Sequence, residues 1–492
     1  MNVIDSIIGT ISPKAGFNRT RYRFASNAIK EGQRKFDAAA VTRRTEGWRA
    51  TGASPNNETI AVLSRLRDRS RELVRNNAYA KRAIQVIKNN TIGTGIRPTP
   101  SIASPENLKK IKDLWWRWAE TPECDWNGKE TFYGLQKMVI AAVAQDGEVI
   151  IRKRRANSKN GLLPVKLQVC EADQIDDSKE NATLPDGGWI IQGVEFDKNG
   201  KLVAYWLYDR HPGDSLSLYS TRVPSSEVLH VYLQDRPGQV RGVPWSTSIM
   251  IKLRDFDDFE DAQLMQQKVA ACFAVIITSD DTGGTIVSNN STDSGLSERV
   301  EPGIIQHAKP GEAVNVVNPP TTTGQDSFSR KVLQAIAAGY GISYESLTGD
   351  LSNVNFSSGR MGWLEMHRNI QEWQARIMIT QFCDPVWKWF TDAAKISGKV
   401  QDSDIIADWT PPRREMIDPV KEINGLSQLV QNGFDSWQDV VRQLGYDPDL
   451  LLEQMKEDID RFDKSGLKLA CDFRQDLLKK NVLPQNTPQN AK

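Results

Sequence analysis

Five carboxylates crowd into residues 255–261, which read Asp-Phe-Asp-Asp-Phe-Glu-Asp: Asp255, Asp257, Asp258, Glu260 and Asp261. Clustered carboxylates hold the cations of two-metal sites, where paired divalent ions activate a water and stabilise the leaving oxygen of a phosphodiester. That chemistry would make the chain a metal-dependent nuclease. On a helix, however, these five side chains spread around the circumference instead of converging, and Phe256 and Phe259 between them mark an amphipathic helix. A solvated or pore-lining acidic face, or pairing between subunits, accounts for the run more simply. A second charged run, Arg65, Arg67, Arg69, Arg71 and Arg75, is interrupted by Asp68 and Glu72. It offers basic contacts to nucleic acid; a solvated face, or ion pairs with a neighbouring chain, is the simpler reading. The 14 tryptophans could stack on bases. Helical spacings such as Trp115 with Trp118 and Trp387 with Phe390 point instead to core or subunit interface.

Signatures of other chemistries are missing. Gly-Lys pairs at 128, 200 and 398 lack the upstream glycine and following Ser/Thr of a phosphate loop, which argues against an ATP-driven motor. No HExxH, GxSxG or GxGxxG occurs, and His211, His230, His307 and His367 are scattered. The sequence therefore predicts no enzyme, no cofactor and no metal. Cysteines at 124, 170, 272, 383 and 471 form no CxxC pair and read as free thiols in a reducing compartment. No apolar run approaches the ~18 residues of a membrane span, and the N-terminus lacks a basic region ahead of its apolar patch, so an intracellular product without membrane partners is expected. The 63 basic and 62 acidic residues nearly cancel. Tight DNA binders are usually markedly basic, because affinity comes mainly from phosphate neutralisation. Here the charge is local: residues 1–50 carry an excess of Lys and Arg.

The elements that would position these residues follow from periodicity. With 492 residues, 39% of them hydrophobic, two to four subdomains are expected. Residues 1–57 read as a basic, mobile arm. Helical periodicity runs from Thr59 to Gly93, with Leu63, Leu66, Leu73 and Ile84 on one face. Further helices carry Leu114, Trp115 and Trp118, and then start at Thr131. One antiparallel sheet is expected between 148 and 233, from runs at Val149, Val165, Trp189–Phe196 and Leu202–Tyr208, with a hairpin at Asp197–Gly200. A helix follows over 246–271, with Ile249, Leu253, Phe256, Leu264 and Val269 as its apolar stripe. Short strands are expected at 273–278, 304–306 and 314–317. A helix from Phe328 ends at Gly339 and Gly341; a polar loop leads to a second helix capped by Ser357 or Ser358. Helices near 357–396, 415–432, 436–444 and 449–463 complete the chain, before a Pro/Asn/Gln-rich tail.

Several blocks resemble, in order, the portal proteins of lambda-type tailed bacteriophages. They are Leu66–Asn77 with Asn89–Pro98, Asp146-Gly-Glu148, Glu171–Ile175, Gly193–Phe196 with Tyr205–Tyr208, Arg236-Pro-Gly-Gln-Val-Arg-Gly-Val-Pro-Trp245, Phe328–Arg360 and Ile417–Ile423. The resemblance implies an α+β portal fold with wing, stem, clip and crown subdomains, assembled as a homo-oligomeric ring, dodecameric in the virion, around a central channel. On this reading 58–245 is the wing, 246–271 the first stem helix, 272–326 the clip and 327–342 the second stem helix. The tunnel loop is 343–358, the wing helix and return 359–410, the crown 411–465 and the tail 466–492. Double-stranded DNA would pass without sequence-specific contacts. The implied partners are the terminase large subunit, major capsid and scaffold proteins, and head-completion or adaptor proteins. The implied location is the portal vertex of the virion, with assembly in the host cytoplasm. Ser352, Asn353, Asn355, Phe356, Ser357, Ser358 and Arg360 would form the tunnel loop. Asp255, Asp257, Asp258, Glu260, Asp261, Arg330 and Lys331 would charge the stem or channel. Another ring-forming connector or baseplate component, and less so the nuclease, are the alternatives.

Overall fold

The computed structural model describes residues 50–466 except 102–103, 157–162, 182, 215–218, 272–274, 279–304, 309–324, 401–404, 413–415 and 417, together with residues 21–22, 43 and 46–47. The chain divides into two units, Met1–Ser54 and Pro55–Lys492. Residues 55–57, read with the arm from sequence, belong to the second unit. There the Asn56 side chain donates to the Gly238 carbonyl and accepts from the Val240 N–H, each at 3.0 Å.

The second unit opens with helices α1 (Pro55–Thr59), α2 (Leu63–Asn76) and α3 (Ala78–Ile92). The single helical run expected from Thr59 to Gly93 is broken at Asn77. Its backbone is extended, and its side chain caps α3 by accepting from the Ala80 N–H. Strand β1 (Arg97–Ser101) was not anticipated, because Pro98 and Pro100 read as loop. It pairs antiparallel with the equally unanticipated β11 (Ile406–Thr410), in a two-stranded ladder where both strands are edges. Helices α4 (Pro105–Ala119) and α5 (Phe132–Asp146) follow, the latter capped by Thr131 as its sequence predicts.

Between 148 and 233 the structure has two sheets instead of one. Strands β2 (Glu148–Arg155), β3 (Val165–Glu171) and β8 (Val228–Tyr232) form an antiparallel sheet in the order β3-β2-β8. Strands β4 (Trp189–Ile191), β5 (Val194–Phe196), β6 (Leu202–Tyr208) and β7 (Ser220–Pro224) form a four-stranded meander. The run 189–196 folds back on itself because Gln192 and Gly193 both take positive φ, 48° and 79°, as a two-residue hairpin turn requires.

Helix α6 (Met250–Ala271) buries Leu253 and Phe256, with Ile249 just ahead of it. Leu264, expected on the same stripe, is exposed, and the Val269 side chain lies outside the description. Strands β9 (Val275–Thr278) and β10 (Ile305–Ala308) pair in parallel; the expected strand at 314–317 lies outside the described residues. Next come α7 (Gln325–Tyr340), α8 (Tyr344–Thr348) and α9 (Phe356–Glu372). Helix α9 continues through an 11-residue π-helical stretch, Trp373–Cys383, into α10 (Asp384–Ile396). After β11 the chain closes with α11 (Pro419–Gln431), α12 (Trp437–Gln443) and α13 (Pro448–Ser465).

Trp115 centres the aromatic core, with the rings of Phe132, Trp387 and Phe390 at 5.0–5.1 Å and Trp118 at 5.6 Å. These tryptophans therefore pack the interior and are unavailable for stacking on bases. The two glycines expected to end α7 have different jobs. Gly341 (φ 71°) is the terminator: its N–H donates to the Ala338 carbonyl and the Ile342 N–H to that of Ala337, a Schellman closure. Gly339 lies inside the helix and is a glycine for packing: a Cβ there would meet Ile249 Cγ2 at 2.3 Å. In an exposed helix, Gly→Ala stabilises by about 1 kcal/mol. Gly339→Ala should instead lower the melting temperature, because an overpacking cost of about 1–3 kcal/mol outweighs the propensity gain and leaves a net loss of up to about 2 kcal/mol; thermal denaturation reads the sign directly.

Candidate functional site

Three of the sequence blocks meet at one buried carboxylate. Glu148, fully buried, accepts from Arg241 Nε at 2.9 and 3.0 Å and from Arg241 Nη2 at 2.6 Å. It also accepts from the Gly242 N–H at 2.8 Å and bonds His230 Nε2 at 2.8 Å. Burial opposes the charged form of Glu148, yet Arg241 and His230 hold its carboxyl well below the usual range. Burial likewise lowers His230, so the imidazole is neutral and donates. Arg241 reaches on to the carbonyl of the strained Gln192 at 3.0 Å. From α2, Arg67 stands 3.6 Å from Glu148, and Ser70 Oγ lies 3.0 Å from Ser246 Oγ, beside the start of α6. Gly147 and Gly242 touch backbone to backbone; a Cβ on Gly242 would fall 2.2 Å from the Gly147 carbonyl oxygen.

This hub corrects two of the expected basic contacts. Arg67 is 2% exposed, and Arg71 is bound to Asp146 (2.7 Å), Asp173 (2.6 Å) and Glu171 (3.1 Å), so neither is free for nucleic acid. Arg65, Arg69 and Arg75 are exposed. Glu171, Asp173 and His211 come close enough to resemble a metal site, but the Arg71 guanidinium already neutralises that group.

The acidic residues of α6 diverge. Asp257 accepts from Asn77 Nδ2 at 3.3 Å and Glu260 from the Tyr79 hydroxyl at 3.0 Å, both towards α3 and its cap. Burial, with Asp257 and Asp261 nearby, raises the Glu260 carboxyl, and burial with Glu260 pushes the Tyr79 hydroxyl to about 12. Asp255, Asp258 and Asp261 face solvent. A two-metal site would need these carboxylates to converge, and the helix holds them apart.

The stretch after α7 is a tethered loop containing a helical turn. Ser343 caps α8 and Gly349 closes it in the left-handed region. Asp350 then accepts from Arg330 Nη2 at 3.1 Å, the Tyr344 hydroxyl at 3.0 Å, and the Ser352 N–H and hydroxyl at 3.0 and 2.6 Å. The Ser352 bonds foremost, then Tyr344 and Arg330, hold the Asp350 carboxyl at about 2. Oriented with its oxygen towards Arg330, the Asn353 amide accepts from both terminal guanidinium nitrogens at 2.7 and 3.0 Å. Arg330, expected among the stem or channel charges, is thus taken up by the loop's own anchor; Lys331 and Arg360 stay exposed. The cap of α9 is Asn355, in place of Ser357 or Ser358: its side chain accepts from the Ser358 N–H at 2.8 Å, and its N–H donates to the Ser358 hydroxyl at 3.2 Å. Phe356 opens the helix. Ser352, Asn353, Asn355, Ser357 and Ser358 all lie exposed. The Asp350-Leu-Ser352 turn was missed, although Asp two residues ahead of Ser is an Asx-turn pattern.

The family model of phage portal proteins, lambda family, matches residues 41–374. The chain belongs to this family. A probable portal protein of Halomonas phage phiHAP-1 is 28% identical over 88% of each chain. The portal protein of Escherichia phage N15 is 23% identical over 84% of this chain and 88% of its own, and portal protein B of Escherichia phage lambda 23% over 86% and 88%. Among solved structures, a chain from the virion of a native gene transfer agent particle aligns with a TM-score of 0.44 at 13% identity, covering 81% of this chain and 95% of its own. One from the neck of that particle, computed with C12 symmetry, scores 0.43 at 14% identity over 77% and 94%. The residues of the hub all lie within the span of the family match, in a chain of mixed helix and sheet.

Removing the charge of Glu148 leaves the buried Arg241 unpaired. Glu148→Gln should cost about 3–5 kcal/mol, read by chemical denaturation. The folded pKa of His230 lies below the unfolded value of ~6.5, so its stabilisation is complete above that pH and is lost as pH falls. His230→Gln, which keeps a donor to Glu148, should flatten the stability loss between about pH 6.5 and 5 in a pH series of melts.

Proposed function

We propose that this chain assembles into a closed ring, dodecameric in the virion, whose channel passes double-stranded DNA during packaging and ejection. The observation that carries the proposal is the family match over 41–374, which includes α6, α7 and the tethered loop between α7 and α9. In this reading 58–245 with 359–410 forms the wing, 246–271 and 327–342 the stem, 272–326 the clip, 343–358 the tunnel loop and 411–465 the crown. The terminase large subunit docks on the ring during packaging and head-completion or adaptor proteins replace it. Scaffold and major capsid proteins meet it in the host cytoplasm when the procapsid starts. The chain acts as a conduit and not as a catalyst.

A conduit must let DNA slide at low cost. A strongly basic wall would trap the phosphates, whereas 63 basic and 62 acidic residues leave the chain close to neutral. The loop supports the reading by its chemistry. Exposed hydroxyls and amides at Ser352, Asn353, Ser357 and Ser358 can hydrogen-bond a sugar-phosphate backbone without reading its sequence. Arg330 and Asp350 anchor one end and the Asn355 cap the other. Shortening the loop within 351–356, with Asn355 and Phe356 kept, removes the exposed tip. Rings should still assemble, while packaged DNA retained per particle falls at least tenfold in a nuclease-protection assay. Normal packaging and retention by that variant would sink the proposed role of the loop.

A further inference from the structure

Among the described residues, nothing covers one side of helix α6. Ile251, Asp255, Asp258, Ala262 and Met265 recur at steps of four and three, which aligns them along a single face. All five are exposed, Ile251 to 75% and Met265 to 61%. Leu253 and Phe256, on the opposite side, are buried. Large apolar side chains at both ends of an outward face, with Asp255 and Asp258 between them and the exposed Arg254 at its edge, have the composition of a contact surface. A wall that only DNA slides past has no use for Ile251 and Met265.

A complementary face lies on the helices packed behind α6. Helix α2 turns Leu63, Arg67, Ser70 and Leu73 inward and lies against α6, with Ser70 reaching Ser246. The outward sides of α2 and α3 carry Arg65, Arg69, Arg75 and Lys81 against Asp68 and Glu72, while Arg82 Nε donates to the Ser346 carbonyl at 3.2 Å. Ile60 and Val62, exposed by 45% and 39%, stand at the start of that face as Ile251 stands at the start of the acidic one. From 251 to 265 and from 62 to 76, each face runs about 21 Å at the helical rise. Because α2 and α6 meet through their buried sides, these outward faces look away from each other. Two unlike, complementary faces on opposite sides of one protomer are what a closed heterologous ring requires.

We propose that the face of α6 bearing Ile251, Asp255, Asp258 and Met265 docks on the basic α2–α3 face of the next copy of this chain. The inference rests on the ring reading and names its contact. The charges set orientation and register, and the apolar ends exclude water. Asp255 and Asp258 then belong to the seam between subunits and do not line the DNA path.

The test uses the full-length chain in three forms: Asp255→Lys with Asp258→Lys, Arg65→Glu with Arg69→Glu, and all four changes together. Ring fraction is counted in electron micrographs, with mass from light scattering, at one concentration and low salt. Each pair of changes should cut the ring fraction at least tenfold. The fourfold swap should restore it, and so should an equimolar mixture of the two pairs, as rings with alternating subunits. All four positions are exposed, so the melting curves should match the wild type. Normal assembly by either pair, or failure of both the swap and the mixture to recover rings, overturns the contact while leaving the ring intact. A wild-type chain that stays monomeric at every concentration overturns the ring reading and the contact with it.

Discussion

The buried Glu148–Arg241 pair is the constraint around which the rest is arranged. Neither group has any exposed surface, and a lone charge there would cost several kcal/mol. Their geometry therefore dictates what surrounds them. Gly147 and Gly242 must be glycines for the strand bearing Glu148 and the loop bearing Arg241 to touch backbone to backbone. Gln192 must hold a left-handed conformation to offer its carbonyl to Arg241. Arg67 brings α2 to the same point, and the Ser70–Ser246 contact fixes where α6 departs. The hub sets the exit direction of the helix that the proposed channel depends on.

Outside the hub, charge is sorted by direction. Inward-facing arginines of α2 are spent on Glu148, Asp146 and Asp173, and outward-facing ones are left for other molecules. The acids of α6 divide by partner, with Asp257 and Glu260 held by Asn77 and Tyr79 and Asp255, Asp258 and Asp261 presented to solvent. The loop after α7 combines a fixed base with an exposed polar tip. Asp350 gathers Arg330, Tyr344 and Ser352 at one end, and Asn355 with Ser358 closes the other. Both properties suit the proposed contact with DNA, since the anchors keep the exposed polar tip placed.

Much of this was legible in the sequence where local physics decides. Thr131 capping α5, Gly341 ending α7 and the Asp197–Gly200 hairpin follow from cap and turn chemistry. The tryptophans read as core, and core is what Trp115, Trp118 and Trp387 form. What escaped was set by distant partners. β1 and β11 form a ladder across 305 residues of chain, from Ser101 to Ile406, and two prolines hide the first strand. Gly339 looks like a terminator until Ile249 is seen against it. Arg67 and Arg71 look like surface cations because α2 has an outward basic face; only the positions of Glu148 and Asp173 show that these two turn inward. The Glu148–Arg241–His230 hub was present as three separate fragments with no chemistry attached, since their pairing spans some ninety residues.

The central claim is that the chain closes into a ring whose channel is walled by the α6–α7 pair and the loop that follows. A cryo-electron microscopy map of the purified full-length protein tests it most directly. The account predicts closed rotational symmetry, a bore that admits B-form DNA, and density for residues 350–358 at the channel surface. Particles without rotational symmetry at any concentration, or a ring whose bore is lined by other segments while 350–358 lies on the outside, would contradict it.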